Sequence, residues 1–471
     1  MNTPRTRRRT AAGLAVAAVA LLPFAGPGAP GAHAHGSATE GLYGDGDATW
    51  DGVWRQSWSL LALHSAGITP HEEAVHWLTG QQCEDGAFPA YRADTEQPCG
   101  DDTPRDTNAT AAAVQALHAL GGHEQQMGEA LVWLLDVQNE DGGWPYNPGG
   151  ATDANSTAVV LGAFTAVGDP GYLEEIGTLP DALAALQLGC DAEEAQRGAF
   201  AWQPEADGSL FANDLATVDA VLAAHGSGLL VEPADPAGDG AAAPRPLECD
   251  PPRETDGAPR ADAEAGAAYL AARLAAGDGH LNNDLTDGQP DYLGTAKAVM
   301  ALAAGGHRAE IAAPLEWLRQ HHGEWAGYQE NPTALAALAL TAHAAGADAR
   351  DFGGTDLIAA LAALGPEPQT PLDEVPEDTA TDDGKAAEGD ADAGTGTGAG
   401  DGQEDVEEED SGSLLWLLGI GLLAGAGIGL LLALRGRGTA RNGDTSGSAD
   451  ADADGNGDGN GDSGNEPKQQ P

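Results

Sequence analysis

Three aspartates, Asp106, Asp153 and Asp291, each stand four residues ahead of a threonine, in the stretches RDTNAT, TDANST and PDYLGT. A carboxylate at that spacing, just before an apolar periodic run, can accept the free backbone N–H groups of a helix start. The same carboxylate, beside exposed N–H groups and the positive end of a helix dipole, can also orient a ligand. Equivalent places in related stretches hold Asn108, Asn155, Asn213 and Asn331, together with the aromatic rings of Trp54 and Tyr292. These nine residues form the candidate ligand-binding set, with capping as the competing role of the aspartates. NAT at Asn108 and NST at Asn155 are also glycosylation sequons, which the repeat itself generates. Histidines such as His64, His118 and His343 are scattered near helix ends, and His321 and His322 are adjacent, a poor chelating arrangement on one helix. The residues therefore assign no metal ligands and no catalytic group.

These residues must be positioned by helices, and the helices repeat. EALVWLLDVQ, from Glu129, has apolar residues at helical spacing and is stopped at Asp141-Gly142-Gly143. A loop rich in Pro, Asn and Gly follows, then TDANSTAVVLGAF from Thr152, with Asp153 as N-cap. Aligned on a Thr-Ala step, the second helix recurs as RDTNATAAAVQAL, ANDLATVDAVLAA, PDYLGTAKAVMAL and QENPTALAALAL, with DGVWRQSWSLLAL as a degenerate first copy. Each is followed by a partner helix, and the period is roughly 50 residues, within the range of helical repeats. Such units bury their faces only against neighbours, and six of them can close into a ring without exposed ends. The tryptophans Trp133, Trp144, Trp202 and Trp317 read as packing between these helices.

The stretch LLDVQNEDGGW, with Gln138, Gly142 and Trp144, resembles the repeat of protein prenyltransferase beta subunits and squalene cyclases. LTGQQCEDGAF repeats it with Gln82, Gly86 and Phe88, and later copies at Gly198 and Gly279 keep the glycine but read as having lost the glutamine. The resemblance implies an all-α fold, an α6/α6 toroid of six helix pairs over residues 35–364, interrupted by an insertion at about 226–262. It places the nine candidate residues at the mouth of a central cavity. The Asp-x-Asp-Asp acid of the cyclases has no counterpart: CGDD, from Cys99, lacks the first acid. No Asp, Cys and His stand where the prenyltransferases hold zinc, and aromatic residues are few, with six Phe and seven Tyr. The toroid is also similar to that of the cobalamin carriers transcobalamin and intrinsic factor, which implies a corrinoid as one ligand class. The expected function is a binding protein for a small apolar or corrinoid-like ligand or a protein partner, with a divergent isoprenoid cyclase or transferase, or a structural surface module, as alternatives.

The ends of the chain set its expected location. Residues 1–34 have an Arg-rich start, an apolar stretch and the small-residue exit Ala32-His33-Ala34, the pattern of a cleaved secretory signal. Four cysteines in a secreted chain, Cys83, Cys99, Cys190 and Cys249, are expected to pair. Three connectivities exist, and the sequential one is favoured because it pins two interrupted loops. Residues 365–413 turn to Pro, Gly, Thr, Asp and Glu, the composition of a disordered, self-repelling stalk. The apolar run Leu414 to Leu434, followed by Arg435, Arg437 and Arg441, reads as a single membrane-spanning helix with its C-terminus in the cytoplasm. Gly421, Gly425 and Gly429 put flat patches on one face of it, where a partner helix, such as that of a transporter, could pack. Residues 435–471 form a low-complexity tail; DADADGNGDGNGD resembles the start of a calcium loop, but Gly461 stands where the bidentate acid belongs. A net charge of -53 over 471 residues speaks against nucleic acid as a partner.

Overall fold

A computed structural model describes residues 40–176, 181–233, 242–249, 261–283 and 288–372. The expected signal peptide, most of the expected stalk, the apolar run from Leu414 to Leu434 and the tail lie outside these residues. No helix of the described residues is long and apolar enough to cross a membrane.

Six helices share one character: α1 (Gly52–Ser65), α3 (Thr107–Leu120), α5 (Ala154–Val167), α8 (Asp214–Ala224), α10 (Tyr292–Ala304) and α12 (Pro332–Ala344). Each is rich in alanine or small residues and is buried on nearly every face beyond its first turn. A helix that is apolar all round belongs in the interior. Their contacts run α1 to α3, α3 to α5, α5 to α8, α8 to α10, α10 to α12 and α12 back to α1, so the six close into a ring. Val53 N donates to the Ala90 carbonyl, Thr107 N to that of Tyr146 and Ala154 N to that of Trp202, each tying a helix start to the loop before the next ring helix. Asp219 pairs with Lys297 at equal depth in α8 and α10, and Gly44 before α1 lies against Pro332 at the start of α12, so the helices run in the same sense. All six N-termini therefore share one end of the ring.

The remaining helices pack on the ring from outside. They are α2 (Glu72–Gly80) on α1, α4 (Glu124–Asp136) on α3, the short α6 (Pro170–Ile176) and α7 (Asp181–Ala185) on α5, α9 (Ala263–Ala276) on α8, α11 (Arg308–His321) on α10 and α13 (Leu357–Ala362) on α12. A two-stranded antiparallel ribbon, β1 (Leu281–Asn283) with β2 (Gln289–Asp291), leads into α10.

The repeat motif has a structural reason at each position. Gly86, Gly142, Gly198 and Gly279 all have φ between 84° and 97°, a conformation that favours glycine. The glutamine before the turn ties the loop to itself: Gln138 Nε2 donates to the Gly142 carbonyl at 2.7 Å, and Gln82 Nε2 to the Gly86 carbonyl at 2.9 Å. The third copy has not lost this residue, because Gln187 Nε2 donates to the Gly198 carbonyl at 3.0 Å. A longer loop, carrying Cys190, separates the two in sequence and hides the match. The threonine of the Thr-Ala step accepts from the backbone just past the turn: Phe88 N to Thr110, Trp144 N to Thr157, Phe200 N to Thr217 and Leu281 N to Thr295, all at 2.9–3.0 Å. In the first copy Gln56 Oε1 takes this place, accepting from Tyr43 N at 2.9 Å. The last copy is shifted from the sequence alignment. Its N-cap is Asn331, so the residue equivalent to the threonine is Leu335 and not Thr333.

Both disulfides follow the sequential pairing, Cys83 with Cys99 and Cys190 with Cys249. The insertion after α8 is more than a surface excursion. Leu229 and Val231 are buried, and Leu229 N donates to Gln115 Oε1 of α3 at 2.7 Å. A Cβ on Gly228 would collide with that same glutamine, and the next nearest atom is the Gly162 carbonyl of α5. Glu232 acts electrostatically on His64, near the end of α1, and on His343, near the end of α12. Residues 227–233 thus cover the C-terminal end of the ring. Residues of the segment beyond Leu364 also return to the ring, with Gln369 N donating to the Thr69 carbonyl at 2.9 Å.

Candidate functional site

The open end of the ring is the one where the inner helices start. Asp106 accepts from Ala109 N, Asp153 from Ser156 N and Asp291 from Gly294 N, each at 2.8 Å. Asn213 and Asn331 do the same for Ala216 N (2.8 Å) and Ala334 N (3.2 Å). Five of the nine candidate residues therefore hold helix starts. Asp153 also accepts from the Ser156 hydroxyl at 2.9 Å, and Asp106 is hydrogen-bonded by Tyr146.

The second helical residue of most copies is half-buried and faces the mouth: Asn108, Asn155, Leu215, Leu293 and Thr333, with Trp54 in the first turn of α1. Trp54 packs on Trp58, their ring centres 5.7 Å apart. Tyr292 stacks on Trp325 and packs tilted against Trp317, with centroids at 5.5 and 5.1 Å, so its ring is held among the aromatics of the last two repeats. Asn155 reaches across to α8, where its Nδ2 donates to Asp219 Oδ2 at 2.8 Å.

Asp219 is the residue that sequence reading missed, together with Lys297. Asp219 is 5% exposed, and Lys297 Nζ of α10 forms an ion pair with its Oδ1. Each lies six residues after its own N-cap, Asn213 or Asp291, in adjacent ring helices. A charge inside an alanine-rich inner helix, at the same register in neighbouring copies, was the available signal. In three other copies that level is closed by apolar side chains, since Ala112, Val159 and Ala337 are all buried. The layer beneath the helix starts is therefore packed, with a buried ion pair on its α8–α10 side. Arg55, buried in the first turns of α1, sends Nη2 to the Gly46 carbonyl at 2.9 Å. On the outer side of α8, Asp214 takes a two-pronged bond from Arg273 (2.7 and 3.1 Å) and one from the Tyr269 hydroxyl (2.6 Å).

Burial sets the electrostatics of the helix starts. Desolvation pushes both Asp106 and Asp153 up to about 6, against the lowering effect of the bonds they accept. Desolvation also raises Asp291, with Lys297 acting the other way. Two rings stand exposed on the loops that enter the mouth, Trp50 (63%) before α1 and Phe211 (61%) before α8. In ring order α1 and α8 are opposite one another.

Two other features lie away from the mouth. A groove of about 600 Å³ runs along α2, lined by residues including Glu72, His76, His123 and Gln369. At the covered end of the ring, His225, Glu264 and His307 converge, with one potential ligand atom from each within 4.8 Å of the others.

No family model matches the sequence, and no curated protein matches it. Among solved structures, a protein from Actinoplanes is similar at 16% identity and a TM-score of 0.39, over 65% of this chain and 92% of that one. A variant of the type II terpene cyclase MstE from Scytonema is similar at 13% identity and a TM-score of 0.39, over 65% and 91%. A sugar epimerase from a ruminal bacterium is similar at 14% identity and a TM-score of 0.38, over 61% and 81%.

Proposed function

We propose that this chain is a cell-surface binding protein whose ligand docks on the N-terminal mouth of the ring. The observation that carries the reading is the set of groups gathered at this end of the ring. Two half-buried amides, Asn108 and Asn155, lie above a packed inner layer that holds the Asp219–Lys297 ion pair, and the exposed rings of Trp50 and Phe211 stand on loops at the same end. An exposed aromatic pair around convergent polar groups suits a ligand with a flat apolar face and hydrogen-bonding substituents. A corrinoid, with its amide-bearing rim, is the first member of that class to test. Two disulfides support an oxidising, extracellular setting. An expected signal peptide and an expected membrane helix at Leu414 to Leu434 would display the ring outside the cell, beside a transporter as partner. No cofactor is assigned beyond such a ligand. A thermal-shift screen of the full chain against corrinoids, haem and prenyl diphosphates tests the reading. A ligand at about 100 times its Kd adds roughly 2.7 kcal/mol. No shift with any of these would overturn the small-ligand reading and move the function to a protein partner.

A second reading is an enzyme of the isoprenoid cyclase or transferase type. It is favoured by one observation, the raised carboxyls Asp106 and Asp153, since groups with shifted pKa gather at catalytic sites. A buried acid at about 6 holds a proton under mildly acidic conditions and can deliver it. Turnover of a prenyl diphosphate or polyprene that is lost in Asp153→Asn would establish this reading. Absence of product from both classes would remove it.

A further inference from the structure

We infer that His225, Glu264 and His307 form a binding site for a divalent transition-metal ion, zinc by its ligand chemistry, which fastens the insertion to the covered end of the ring. The three residues come from three separate segments. His225 follows the last turn of α8, where the insertion leaves the ring; Glu264 lies in the first turn of α9, where it returns; and His307 precedes α11. The sequence hides the set because its members are far apart and have no ligand spacing.

Four observations support it. First, the Nε2 atoms of His225 and His307 are both buried without a hydrogen-bond partner among the described residues, and His307 is only 3% exposed. A buried polar atom of this kind needs a partner. Second, the Nε2 of His307 stands 3.5 Å from Glu264 Oε1. Ligand atoms of a tetrahedral zinc, each about 2.0 to 2.2 Å from the metal, are roughly 3.4 Å apart. His225 completes the set, all three ligand atoms lying within 4.8 Å of one another, a spread that a bound metal would draw in. Third, the outer contacts are those a metal site uses. His307 Nδ1 lies 3.0 Å from the Ala242 carbonyl, which leaves Nε2 as the lone-pair nitrogen, and Arg245 Nε lies 3.3 Å from the other oxygen of Glu264. Ala242 and Arg245 belong to the insertion, so the site would draw that segment in.

The fourth observation is Gly305. Its φ of −80° and ψ of −3° are ordinary for any residue, so the backbone does not call for glycine. A Cβ there would stand 2.6 Å from His225 Nε2 and 2.7 Å from His307 Nε2. Glycine keeps open the space into which both free nitrogens point. Two imidazoles and a carboxylate suit zinc and leave a fourth coordination position.

The test is a cobalt titration of the full-length chain after chelator treatment and dialysis, followed by zinc competition. Saturable binding of one Co²⁺ with tetrahedral d–d bands, displaced by Zn²⁺, is expected. Affinity should fall on the order of 100-fold in the His225→Gln/His307→Gln double variant, and about 10-fold in Arg245→Ala, which leaves all three ligands in place. Gly305→Ala should lose the tetrahedral bands while keeping every ligand. No saturable binding by the unmodified chain, or binding undiminished in the double variant, overturns the assignment. Should the variants fold poorly by near-UV circular dichroism, X-ray absorption of the zinc-loaded unmodified chain decides instead. Two imidazoles and one carboxylate support the site, and any other protein ligand set overturns it.

Discussion

Asp106 is buried at a helix start and hydrogen-bonded, yet desolvation pushes it up to about 6, from an ordinary value of 3.8. The folded ring therefore holds its proton more tightly than the unfolded chain does. Between these two values the native state binds more protons, so this group's contribution to stability is full below about pH 4 and declines until about pH 6. The shift, 6 less 3.8, is worth about 3 kcal/mol at 1.36 kcal/mol per unit. Asp106→Asn removes the ionisation and keeps a side-chain oxygen to accept from Ala109 N, since Asn caps as well as Asp. Urea unfolding of both proteins at pH 4.5, 6 and 8 measures the difference. The variant's advantage over the parent should grow by about 2 kcal/mol from the lowest pH to pH 8, from about 1 to about 3 kcal/mol. Asp153→Asn should behave alike, because its carboxyl is raised for the same reason. A difference that does not change with pH, or a variant less stable at pH 8, would refute the assignment of a costly buried charge.

Removing Lys297 as Lys297→Met leaves Asp219 buried without its cation and should cost about 3 to 5 kcal/mol, while adding Asp219→Asn should restore much of it; a thermodynamic cycle from urea unfolding checks both. Leu229→Ala in the segment covering the ring should cost about 2 to 5 kcal/mol by the same assay, whereas a loop lying on the surface would lose under 0.5. Gln187→Ala should destabilise by about 1 kcal/mol or more, as Gln138→Ala should, since each frees a carbonyl that the side chain now satisfies.

The parts of this molecule that depend on local chemistry were readable in its sequence. Asp153 caps α5 and both disulfides pair sequentially, but α4 already ends at Asp136 with Val137 as its C-cap, so Gly142 shapes the turn of the following loop and not the helix end. Features set by pairing between distant segments were not readable. Gln187 bonds to Gly198 across a longer loop, so the repeat spacing fails although the bond survives. Thr333 matches the Thr-Ala step by type, but Asn331 caps α12 and moves the equivalent position to Leu335. Asp219 and Lys297 become a pair only once α8 and α10 are neighbours at equal depth. The candidate amides and acids were found at the mouth, but most of their bonding capacity is spent on helix starts. Asn108, Asn155 and the exposed Trp50 and Phe211 remain the accessible part.

The central claim is that binding takes place on this mouth. The most direct measurement is a titration of the full chain with cyanocobalamin, read by tryptophan fluorescence and corrin absorbance, beside the Trp50→Ala/Phe211→Ala variant. Saturable binding that weakens at least tenfold in the variant, with the melting temperature of the free protein unchanged, is the predicted result. Absence of binding would contradict the corrinoid reading, and binding undiminished in the variant would contradict the mouth as its site.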